Sequence, residues 1–194
     1  MTLVHSEHCA SHSGIRPTIA EIDLGAIAAN YQAVHEFVAT DVWAVVKADA
    51  YGHGAIPVAQ TLASHGASGF CVALVEEGIS LRESNITQPI LVMSGVYRDG
   101  LGEALAYGLT PVIHDESQLD ELTRLAKTRS VDAPVQFHLK VDTGMSRLGI
   151  VAARLSAVLE RLSGVKGIEL TGLMTHFANA DCDDPSFSDV QLER

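Results

Sequence analysis

Val-Trp-Ala-Val-Val-Lys-Ala-Asp-Ala-Tyr-Gly-His-Gly, residues 42–54, is an apolar, β-branched run that drives into one lysine, Lys47, and breaks at a glycine-flanked turn. This puts Lys47 at the carboxyl end of a buried strand. Two readings of the side chain stand. Its aliphatic stem can snorkel from a strand terminus and leave the ammonium in water. Alternatively, burial disfavours the charged form, and a neutral amine can attack an aldehyde. Tyr51 and the small residues around it leave room for a ligand to approach the backbone.

Outward from that strand the pattern repeats. Upstream, residues 18–22 alternate like a short strand, Asp23 reads as a helix N-cap, and Leu24, Ile27, Tyr31, Val34 and Val38 mark one helical face. Downstream, a helical stripe through Ile56, Ala59, Leu62 and Ala63 stops at Gly66. Apolar strands follow at 70–75, 89–93, 110–113, 135–141 and 170–175. Helices separate them: a short one with Ile79 and Leu81, one over 99–107, one after the Asp115/Gln118 capping box, and one carrying Leu155, Val158, Leu159 and Leu162. A polar loop, 179–185, leads into a last helix with Phe187, Val190 and Leu192.

This βα order with near-continuous apolar strands predicts an α/β protein with a parallel sheet covered by helices. A doubly wound sheet and a (β/α)8-type TIM barrel both fit. The barrel is preferred, because no Gly-x-Gly-x-x-Gly turn follows the first strand. A closed barrel needs more than the roughly six strands found here, so the reading is a barrel truncated after about six βα units.

The 194 residues, 47% hydrophobic, suffice for a sizeable core in one domain. Thirteen basic against 24 acidic residues give a net charge of -11, which disfavours a nucleic-acid or anionic-membrane partner. With no bilayer-length apolar run and no basic-then-apolar N-terminus, the expected location is cytoplasmic. Cys9, Cys71 and Cys182 are scattered and odd in number, which argues against a disulfide framework; Cys71 reads as a small core residue. His5, His8, Cys9 and His12 follow no standard zinc spacing, and residues 1–16 read as a mobile tail without a metal.

Three motifs carry chemistry. Lys47-Ala-Asp-Ala-Tyr51-Gly-His53-Gly resembles the pyridoxal-phosphate lysine motif of alanine racemases. Lys140-Val-Asp-Thr-Gly-Met-Ser-Arg147-Leu-Gly149 resembles that family's Lys-x-Asp-Thr-Gly-Met-x-Arg-x-Gly segment, and Thr175-His176-Phe177-Ala178 its Thr-His-Phe-Ala segment. Without the family, Arg147 is equally an ordinary surface cation, His176 a satisfied strand-end histidine, and Tyr51 a half-buried aromatic whose hydroxyl finds any partner.

The resemblance covers nearly the whole chain after Arg16 and implies a fold-type III enzyme interconverting L- and D-alanine for cell-wall precursors, working as a homodimer. It implies that Lys47 is the Schiff-base lysine and the proton carrier on one substrate face. Arg147 would contact the cofactor's phenolic oxygen and lie near the substrate carboxylate; Tyr51 would lie near the phosphate; His176 would pack against the ring. Lys140 would be carbamylated, turning a repulsive Lys-Arg pair attractive. The alternative for Lys140 is pairing with an acid such as Asp142, against which stands the expectation that the two point to opposite faces of the strand. No chemistry is assigned to His53.

The family's opposite-face tyrosine, in a C-terminal β-domain, and its pyridine-nitrogen arginine and most of its phosphate cup, on later strands, have no counterpart in these residues. The expectation is therefore the Schiff-base half of a site that does not racemise alone. Alternatives are a non-catalytic pyridoxal-phosphate-binding barrel protein, a broad-specificity amino-acid racemase, and a barrel decarboxylase; the Lys140 to Gly149 segment favours the alanine racemase.

Overall fold

A computed structural model describes residues 19–97, 99–128 and 133–194. The histidine- and cysteine-containing N-terminal stretch and Thr18 lie outside the described residues. Asp23 opens helix α1 (Leu24–Val38), its carboxylate accepting the Ala26 N–H at 3.0 Å. Residues 19–22, predicted as strand, are irregular chain. Alternation alone does not make a strand, which needs an edge to pair its backbone groups.

After α1 come β1 (Trp43–Val45), α2 (Lys47–Gly52), α3 (Ala55–Ser64), β2 (Gly69–Val72), α4 (Val75–Glu83), β3 (Ile90–Val92), α5 (Gly100–Ala106), β4 (Thr110–Ile113) and α6 (Glu116–Thr128). The chain continues through β5 (Val135–Asp142), β6 (Ile150–Val151), a 3-10 turn (Ala152–Arg154), α7 (Leu155–Leu162), β7 (Ile168–Met174) and α8 (Ser186–Leu192). Every strand pairing is parallel, in the order β1-β2-β3-β4-β5, with β7 also on β5 and the short β6 at its end. None of the described helices is long and apolar enough to cross a membrane.

The sheet is an arc of barrel type. In a flat sheet four strand spacings would hold β1 and β5 about 19 Å apart. The ring centroids of Trp43 on β1 and His138 on β5 are 6.3 Å apart, so the arc curls far enough for the two side chains to meet inside it.

The pleat sorts the two faces. Phe70, Val72, Ile90, Val92, Ile113, Phe137 and Leu139 face outward and pack with helix residues such as Val58, Leu62, Leu81, Leu101, Leu119 and Leu122. Cys71, Leu91 and Val112 face inward and pack with Trp43, Met93 and Met174. Among the described residues no helix residue enters this inner group, so the doubly wound alternative, which covers both faces with helices, does not hold. Cys71 is the predicted core residue, its thiol pushed up to about 11 by burial.

Candidate active site at the carboxyl ends of the strands

Three strand ends deliver the candidate side chains to one rim. Lys47 lies two residues past β1 and is half-buried. This lies between the snorkelling and the desolvated readings, because β1 pairs only with β2 among the described residues and Val45 beside it is 40% exposed. The Lys47 Nζ sits 5.8 Å from the centroid of the Tyr51 ring, which is itself mostly exposed.

The segment between them is the unforeseen feature. Ala48, Asp49, Ala50 and Tyr51 have φ of 50°, 54°, 52° and 56°, a left-handed helical turn built without glycine. Each such residue costs on the order of 1 kcal/mol, so its surroundings must over-determine it. They do: Asp49 Oδ1 accepts from the Ala55 N–H at 2.6 Å, and Glu77 Oε1 accepts from the Ala48 N–H at 2.6 Å. The turn closes with Gly54 N–H donating to the Asp49 carbonyl at 2.9 Å.

Lys140 lies on the inner face near the end of β5 and is only 5% exposed, with no ion pair among the described residues. Its ammonium is held below the ordinary lysine range by burial first, then by repulsion from Arg147, with Lys47 adding to it. Asp142 opposes the shift but does not pair with Lys140. The two are two residues apart on one strand and so share a face, correcting the opposite-face expectation. What removes Asp142 is its loop: Oδ1 accepts from the Gly144 N–H at 2.9 Å and the Ser146 N–H at 3.0 Å. Those bonds, Ser146 first, hold the carboxyl below its usual range.

The loop so folded carries Arg147, exposed at its tip. It returns to β6 through Gly149, at φ +133°, where a Cβ would stand 2.6 Å from the Asp142 backbone nitrogen. His176, two residues past β7, is exposed, and its imidazole is held below the usual range by partial burial and then by Arg147, Lys140 and Lys47. Lys140 and His176 thus both lie within reach of the charges of Lys47 and Arg147, across three strand ends. Such a gathering is complementary to an anionic ligand and leaves an accessible amine beside it.

Comparison with known proteins supplies the family. Residues 22–194 match the family model described as alanine racemase, N-terminal domain. The chain belongs to the alanine racemase family. It is 45% identical over 177 residues to an alanine racemase of Sorangium cellulosum, covering 88% of this chain and 46% of that protein. The crystal structure of alanine racemase from E. faecalis superposes with a TM-score of 0.81 at 35% identity, over 89% of this chain and 47% of that one. A Bartonella henselae alanine racemase with covalently bound pyridoxal phosphate gives a TM-score of 0.81 at 28% identity, over 89% and 50% of the two chains. The chain therefore spans about half the length of these relatives.

Family motifs point to Lys47, Lys140, Arg147 and His176, but not to the residues that hold them. Gln191, on α8, is 1% exposed: its Oε1 accepts from the Ala178 N–H at 2.9 Å, and its Nε2 donates to Thr143 Oγ1 at 3.2 Å and to the His176 carbonyl at 3.1 Å. Thr143 and Thr175 share a hydroxyl hydrogen bond at 2.8 Å, and Arg194 donates to the Thr143 carbonyl at 2.8 Å. The available signal was spacing, since Gln191 lies four residues after Phe187 and so shares its helix face.

Proposed function

We propose that this chain supplies the cofactor-anchoring half of a pyridoxal-phosphate-dependent alanine racemase site, with Lys47 as the covalent anchor. The observation that carries this reading is the placement of Lys47, Lys140, Arg147 and His176 at or just past the carboxyl ends of β1, β5 and β7 of one parallel sheet. The donor set fits the group. A carbonyl carbon needs a reachable amine, and phosphate and phenolate oxygens need cations. When bound, pyridoxal phosphate supplies an electron sink for the charge left at the substrate α-carbon.

The residues then divide the work. Lys47 Nζ would hold the cofactor's carbonyl carbon and, once freed, would serve as the base that carries the substrate α-proton on one face. Arg147, planar and permanently charged, would donate two hydrogen bonds to a phenolate or carboxylate. Tyr51 would offer its hydroxyl to the phosphate, and the ring of His176 would pack beside the cofactor. Lys140 in its neutral form adds carbon dioxide at Nζ, losing one proton and gaining a negative charge; a carbamate there turns the Lys140–Arg147 repulsion into attraction. Carbon-13 bicarbonate should give a carbamate resonance that Lys140→Met abolishes.

The whole enzyme would act on L- and D-alanine in the cytoplasm, as a homodimer whose other subunit completes the second face, and would feed cell-wall precursors. These 194 residues would bind and anchor without racemising alone. The test is absorption of the chain with pyridoxal phosphate, then borohydride reduction and peptide mapping. A reducible visible band fixed onto Lys47, and lost in Lys47→Ala, is the expected result. Label scattered over surface lysines would defeat the reading, and alanine turnover abolished by Lys47→Ala would defeat the statement that the chain cannot racemise alone.

A further inference from the structure

We infer that Glu77 is a positioning residue for Lys47, acting through the backbone of the left-handed turn. Its carboxylate is divided between two chain segments. Oε1 accepts from the N–H of Ala48, the residue directly after Lys47, at 2.6 Å. Oε2 accepts from the N–H groups of Ala73 and Leu74, at 2.7 and 3.0 Å, where β2 hands over to α4. One side chain therefore ties the first residue of the left-handed turn to the end of the neighbouring strand.

The geometry makes the tie specific. Four successive non-glycine residues, Ala48 to Tyr51, sit at positive φ, a conformation they leave unless held. Asp49, the turn's second residue, is tied forward to Ala55, and Glu77 clamps the near end, one peptide from the lysine. Both carboxylate oxygens are engaged by N–H donors. A glutamine has one acceptor oxygen, and its NH2 would face a donor, so either Ala48 or the Ala73–Leu74 pair must be abandoned. Glu76, its neighbour, is exposed and makes no side-chain bond among the described residues, so it serves as a control.

The inference rests on Lys47 being the cofactor anchor, and its test separates the two. The first measurement is amide exchange at Ala48 in the chain without cofactor. Slow exchange is expected in the parent chain and in Glu76→Gln, and exchange at least about tenfold faster in Glu77→Gln, as befits a lost bond to a charged acceptor. The second is borohydride-trapped pyridoxal-phosphate labelling of Lys47, with exposed Lys166 as internal reference. Glu77→Gln should lower the Lys47 label about tenfold relative to Lys166, by the same lost bond.

If Lys47 is unlabelled in the parent chain, the cofactor reading falls and this inference falls with it. If the parent and Glu77→Gln label Lys47 equally, this inference alone is overturned. Should Glu77→Gln not fold, the parent chain still decides, because an Ala48 amide that exchanges as fast as one in open chain overturns the clamp.

Discussion

Gln191 Nε2 donates to Thr143 Oγ1 at 3.2 Å, so the last helix is bonded to the root of the loop that carries Arg147. The same amide group holds the His176 carbonyl and the Ala178 N–H, at the exit of β7. Two candidate site residues on different strands thus share one buried anchor. Gln191→Leu keeps the bulk but strands those partners, and should cost about 1–3 kcal/mol in urea unfolding. Thr143→Val, which keeps the carbonyl that Arg194 holds, should cost less.

Gly149 brings the Arg147 loop back against β5. An alanine there would meet the Asp142 nitrogen at 2.6 Å and the Val141 carbonyl carbon at 2.9 Å, at a φ of +133° that side chains rarely adopt. Gly149→Ala should lower stability by more than about 1 kcal/mol. It should also weaken phosphate protection of Arg147 against a guanidinium-modifying reagent, because the loop must reset.

Arg82 is a structural cation away from the rim. It donates to the carbonyls of Ile86 at 2.6 Å, Gln88 at 2.7 Å, Gly108 at 3.1 Å and Tyr107 at 3.2 Å, joining the turn before β3 to the turn before β4. Arg82→Met should cost about 2–3 kcal/mol by denaturant titration, since a charged donor is lost from partly buried acceptors. Lysine would restore only part of it, having no planar fork.

Acidification should destabilise the chain through its histidines. Burial depresses His138 below 6.5, and likewise His114 and His176, with neighbouring cations helping at His176. Above 6.5 both folded and unfolded forms are neutral at these positions, so their contribution is fully present. As pH falls below 6.5 the unfolded chain takes up protons first, and stability declines until the folded-state values are reached. His138, inside the arc against Trp43, should dominate; exposed His176 counts for little. The unfolding midpoint should fall from about pH 7.5 to about pH 5, and His138→Phe should flatten that slope.

Much of the fold was legible because its signals are local. Strand β4 (Thr110–Ile113) has the residues predicted for it, and Asp23 caps α1 as its side chain suggests. Asp115 Oδ1 accepts the Gln118 N–H at 2.9 Å, while Gln118 Oε1 takes the His114 N–H at 3.1 Å, one residue before the expected partner. The two-residue β6 was not legible, since its pairing depends on a loop that returns to β5. Nor was the left-handed turn: Ala48 and Ala50 favour ordinary right-handed helix, and bonds to the distant Glu77 and to the following Gly54 and Ala55 backbone oppose that preference.

The amino-acid sequence by itself determined the alternation of strands and helices, the family, and the strand end on which each candidate group stands. Those follow from periodicity and motif, which act over a few residues. Tertiary structure alone decided that the sheet curls until Trp43 meets His138, that Lys140 is buried among cations with Asp142 turned away from it, and that Glu77 and Gln191 are the braces. Each of these depends on which backbone donors and which charges lie close in space, and residues 29 and 48 positions apart come together only when the chain is folded.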